Sequence, residues 1–143
     1  MVKSGLISLI AIVLLIGLAA GLSACANQPA SASAILNQAF ILEPGQTAVL
    51  KDEGLSIKFV EIVSDSRCPT GVQCIWAGEV SSLVEINYQN QKKEMVLKVL
   101  GSGEGEDLFT DYKITFSVEP YPEYGKELKA EDYRLHLTIS KES

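Results

Sequence analysis

The chain has 143 residues, room for one domain with a self-sufficient core but not for two. Its formal charge is −6 and no basic run occurs, which excludes nucleic acid as a partner and leaves no electrostatic means of holding anionic headgroups. The hydrophobic fraction of 47% is inflated by the N-terminus, and beyond it the composition is that of an ordinary soluble domain.

Lys3 supplies a short positive region, residues 4–26 carry no charged side chain, and residues 6–18 are almost continuously apolar. This predicts an export signal, although about 20 apolar residues also suffice to cross a bilayer as an uncleaved helix. The residues that separate the two are Leu22, Ser23, Ala24 and Cys25. They resemble the lipobox of bacterial lipoproteins, in which the Cys is acylated and becomes the new N-terminus. The resemblance implies a signal peptide at 1–24, lipid on Cys25, membrane attachment through that lipid, and a mature charge of −7 once Lys3 is lost. With Ala26 rather than Asp after the Cys, it implies the outer membrane where the cell has one and the cell membrane otherwise. Residues 25–34, rich in Ser, Ala and Pro, then read as the acylated Cys and a flexible tether, leaving 35–143 as a single extracytoplasmic domain.

From Phe40 onward the apolar pattern has period two, the spacing that puts alternate side chains on one face of a strand. Pro44-Gly45 and residues 52–54 punctuate short strands near Phe40 and Val49. Leu55, Ile57 and Phe59 begin a longer one whose phase shifts to Val60 and Ile62, as a bulge or burial on both faces would require. Val80, Val84, Ile86 and Tyr88 face Met95, Leu97 and Val99 across a polar stretch, residues 89–93, that predicts a hairpin. Residues 101–107, three glycines among acids, read as a mobile insertion. Alternation is unbroken in Tyr112, Ile114, Phe116 and Val118, and again in Tyr133, Leu135, Leu137 and Ile139, with one helical turn expected at 127–132. The fold class is therefore all-β, a two-sheet antiparallel β-sandwich of immunoglobulin-like or jelly-roll type, with a small β-barrel as the alternative.

With Cys25 acylated, Cys68 and Cys74 remain as a pair in an oxidising location, so a disulfide is expected. The run Asp65-Ser66-Arg67-Cys68-Pro69, followed by Cys74, Trp76, Gly78 and Glu79, resembles a motif of a family of uncharacterised bacterial secreted proteins and lipoproteins. Val118-Glu119-Pro120-Tyr121-Pro122 and Asp132-Tyr133-Arg134 also look like that family. The resemblance implies a small extracytoplasmic β domain and brings no activity, ligand or catalytic residue. Physically the motif reads as architecture: Trp76 packing its indole over the disulfide, Gly78 letting the chain re-enter a strand, Arg67 reaching Asp65 or Glu79. The competing reading is a rigid loop presenting residues 69–73 to a partner, with Trp76 and Arg67 as its anchors.

The spacing of five residues between Cys68 and Cys74 is not that of a thiol oxidoreductase, and His136, the only histidine, lies on the polar phase of its strand without a nucleophile elbow. Neither residues 104–107 nor Asp52 and Glu53 have the spacing of a calcium loop, and Cys and His are too few for structural zinc. No metal, cofactor or catalytic residue is assigned. Tyr112, Tyr121 and Tyr124 are offered as a carbohydrate- or peptide-binding surface. These readings predict a monomeric, lipid-anchored β module of the cell envelope, a non-enzymatic binding or structural protein with an envelope protein or glycan as partner. The alternative is a hydrolase or protease-inhibitor-like protein on the same scaffold.

Overall fold

The computed structural model describes residues 31–142. The signal peptide 1–24, the acylation site Cys25 and the tether as far as residue 30 lie outside the described residues. Nine strands follow in order: β1 (Ser31–Ser33), β2 (Ala39–Leu42), β3 (Thr47–Leu50), β4 (Leu55–Asp65), β5 (Glu79–Tyr88), β6 (Gln91–Leu100), β7 (Gly105–Phe109), β8 (Tyr112–Glu119) and β9 (Arg134–Lys141). They form one sheet in the order β1-β3-β4-β5-β6 and a second in the order β2-β9-β8-β7. The inner faces, among them Phe59, Ile86 and Leu97 of the first sheet and Ile114, Leu135 and Ile139 of the second, are all but sealed from solvent. This is the expected two-sheet sandwich, and it is not closed into a barrel.

The long strand β4 follows its sequence pattern closely. Its pairing with β5 slips between Phe59 and Glu61 and again between Ile62 and Ser64, so the change of apolar phase at Val60 is a bulge. The β5-β6 hairpin turns more tightly than the polar stretch 89–93 suggests. Tyr88 pairs with Gln91, and the two turn residues, Gln89 and Asn90, both have positive φ (51° and 62°), the geometry that matches strand twist in a two-residue turn.

Two expectations are corrected. The end of the tether is not free: Ser31–Ser33 pair in parallel with Thr47–Val49, and Ala34 is buried with its N–H bonded to the Val49 carbonyl at 3.1 Å. All three β1 side chains are exposed, so the strand is held by backbone bonds alone and leaves no alternation to read. The insertion 101–107 likewise keeps only a short turn, because residues 105–107 belong to β7. Gly105 pairs with Phe116, and a Cβ there would lie 2.6 Å from the Phe116 ring. This glycine admits an aromatic ring rather than loosening the chain.

The sandwich has two distinct ends. At one lie the 3-10 turn Lys51–Glu53 and the hairpin turn, where Glu53 accepts the Tyr112 hydroxyl at 2.6 Å and Lys141 at 3.2 Å, joining the sheets. At the other lies the loop 66–78 with the segments 101–104 and 119–133; we call it the loop end. The helical turn expected at 127–132 is a single 3-10 turn, Ala130–Asp132. Among the described residues no helix is long and apolar enough to cross a membrane.

Candidate functional site

The loop end is built on Gly78. Its φ is 71°, and a Cβ would lie 1.9 Å from the Ser66 carbonyl oxygen. The two strands of the loop therefore touch backbone to backbone, and the pairing of β4 with β5 continues past Asp65 through bonds from the Ser66 N–H to Glu79 O (2.8 Å) and the Cys68 N–H to Ala77 O (2.9 Å). Beyond them Cys68 and Cys74 form the expected disulfide, with S–S 2.07 Å and Cα atoms 5.9 Å apart. Closing a loop of seven residues stabilises the fold by about 2.4 kcal/mol in the chain-entropy model.

Arg67 crosses from this loop to the opposite sheet and is 4% exposed. Its Nε and Nη2 donate to the two carboxylate oxygens of Asp65 at 2.9 and 2.6 Å, a fork on a fork. Nη1 donates to Val118 O at 2.8 Å, Nη2 also to Pro120 O at 2.9 Å, and the Tyr121 ring lies 5.0 Å below the guanidinium carbon. Burial pushes the Asp65 carboxyl up, but the Arg67 side chain and backbone N–H, its charge and the Tyr133 hydroxyl outweigh it and hold Asp65 below the ordinary carboxylate value. Tyr133 donates to Asp65 at 3.2 Å and is itself pushed up to about 12 by burial and by that carboxylate.

The structure thus brings Asp65, Arg67, Gly78 and the disulfide together with the Tyr-Pro segment. Thr70 bonds Pro122 O through its N–H (2.9 Å) and receives the Tyr124 N–H (3.0 Å). Of the two partners expected for Arg67, Asp65 is the one it takes. Glu79 pairs with Lys98 at 3.5 Å instead of Arg67, and Arg67 is buried within the scaffold instead of standing at a contact surface. Trp76 does not cover the disulfide: it is 82% exposed, beside Ile75 at 93%. The tyrosines divide too, Tyr112 lying in the core, Tyr121 half-buried under Arg67, and Tyr124 exposed.

Between the 101–104 turn and the Tyr-Pro segment runs a cleft of about 600 Å³, floored by Arg67, Ser117 and Val118 and walled by Ser102, Glu104, Glu119, Pro120, Tyr121 and Glu123. The Gly101 N–H anchors one wall to Gly78 O at 2.9 Å. Asp65 already neutralises Arg67 and Lys126 pairs with Glu123 at 2.5 Å, so Glu104 and Glu119 set the sign of the cleft. The His136 Nε2 lies 3.4 Å from Glu119 at its edge, on the wet face of β9 as its alternation predicts. Of these residues, Arg67, Val118, Glu119, Pro120 and Tyr121 belong to the motifs of the family resemblance, Glu104 to an acidic loop and His136 to a polar strand face. Nothing in periodicity signals that 101–104 and 119–123 meet. Among the described residues no three His, Cys, Asp or Glu side chains are grouped to hold a metal ion. No family model, curated protein or solved structure matches the chain.

Proposed function

We propose that the protein is a lipid-anchored, extracytoplasmic binding module of the cell envelope, and that its cleft receives a donor-rich segment of an envelope protein or glycan. The lipobox resemblance at residues 22–25 supports the anchor. The observation that carries the binding reading is the cleft itself. Its volume is that of a typical ligand site, its walls are carboxylates and hydroxyls, and its floor is immobilised by the four hydrogen bonds of a buried guanidinium. Such a surface offers acceptors for amines or hydroxyls at little ordering cost.

The test is affinity capture from the native envelope with the acylated protein and with Glu104→Gln/Glu123→Gln. A partner held by the native protein and lost from the variant supports the cleft. A partner retained equally by both, or no partner at all, overturns it.

A further inference from the structure

The cleft leaves unexplained the two most exposed large apolar side chains among the described residues. Ile75 and Trp76 stand at 93% and 82% exposure at the tip of the stapled loop, with Val72 at 39% beside them. Residues 68–77 contain no charge at all in a chain that is 21% charged. Anchors of protein interfaces sit in packed clusters that exclude water around them. A side chain at 93% exposure has almost no neighbours in the free chain, and what covers it is set by what the tether brings near.

Strand direction says which medium is near. β1 runs parallel to β3, which runs from Thr47 beside Lys58 to Leu50 beside Leu55, so β1 begins on its loop-end side. Ser31 is level with Lys58 and Glu85, and Asp65 is level with Val80. That is five residues along β5, a rise of about 17 Å. Cys25 precedes Ser31 by six residues, an extended reach of about 20 Å. The tether thus reaches the level of Asp65, and Trp76, four residues beyond Val80, comes to the same bilayer surface when the domain tilts its stapled rim toward it. The opposite end presents Lys51, Asp52, Lys92, Lys93 and Asp111. Charged residues at 123–134 belong to the connection in the second sheet, so the approach is tilted, with the stapled rim leading.

We propose that Ile75 and Trp76 insert into the interfacial layer of the bilayer that holds the Cys25 lipid, fixing the orientation of the domain and of its cleft. This rests on the lipid-anchor reading. Tryptophan favours that layer, where its ring is buried and its N–H stays wet. The domain's net negative charge makes the contact apolar rather than electrostatic.

Trp76 is the only tryptophan, so its fluorescence reports this tip alone. The acylated full chain, its lipid confirmed by mass, is reconstituted in phosphatidylcholine vesicles, with and without phosphatidylcholine brominated near the headgroup end of its chains. The expected result is flotation with the vesicles, emission shifted to shorter wavelength, and loss of most of that emission with brominated lipid. Ile75→Asp should still float while recovering the emission of an indole in water. Flotation with unquenched native emission overturns the insertion and leaves the anchor standing. Failure of the acylated chain to float overturns both. A photo-crosslinker at position 75 that joins a protein and no phospholipid in cells also overturns it.

Discussion

Arg67 is a cation taken almost wholly out of water, and its placement is affordable only because Asp65 and two carbonyls receive it. Removing one partner of such a pair leaves the other charge buried, which costs about 3–5 kcal/mol. Arg67→Met should lose that much in urea unfolding at neutral pH. The sign with pH follows from the depressed carboxyl of Asp65. In the native protein the pair's stability is full above the ordinary Asp value of 3.8 and is lost as pH falls through the lower folded value. Without the Arg67 guanidinium, burial, the largest influence on Asp65, is opposed only by the backbone N–H of residue 67 and the Tyr133 hydroxyl, so the folded pKa of Asp65 rises relative to the native protein and protonation relieves the variant. The stability gap between the two proteins should therefore narrow as pH falls below the carboxylate range. A gap that stays constant from neutral to acid would mean that Asp65 and Arg67 do not interact as their distances indicate.

At the scale of elements, the bare contact at Gly78 makes a sharper claim than any propensity. Gly78 and Gly45 both have positive φ, 71° and 87°, but a Cβ on Gly45 meets nothing within 4 Å. Alanine at Gly45 should cost only the left-handed backbone term, about 1–2 kcal/mol. Alanine at Gly78 must also force Ser66 away and break the loop's ladder, and should exceed about 4 kcal/mol, where single substitutions become exceptional. Equal losses in thermal melts would show that the loop strands are not in contact. The same contrast shows what the sequence discloses. Strands with one buried and one wet face, such as β8 and β9, are legible because period two is imposed by the core. β1 has no buried side chain, and β7 carries a glycine whose use, admitting the Phe116 ring, depends on a neighbour eleven residues away. Gly78 was legible as a turn; its near-contact with Ser66 was not, since a glycine looks the same whether it bends a chain or makes room for one.

At the scale of the molecule, each end of the sandwich is closed by a carboxylate that accepts a tyrosine hydroxyl and a cation, Glu53 with Tyr112 and Lys141, Asp65 with Tyr133 and Arg67. Stability resides in the core between the sheets and in these two clasps, neither of which includes the Ile75-Trp76 tip. The large aromatic of the motif suggested a packed indole because tryptophan usually repays burial, and the loop places it outside every hydrophobic layer instead. Trp76→Ala should accordingly leave the unfolding free energy within about 0.5 kcal/mol of the native value, the range of surface changes away from structural features. Differential scanning calorimetry of the two proteins in detergent-free buffer checks this. A fall of several degrees in Tm would place the indole back over the disulfide, and the tip would then lose the tryptophan that the proposed insertion needs.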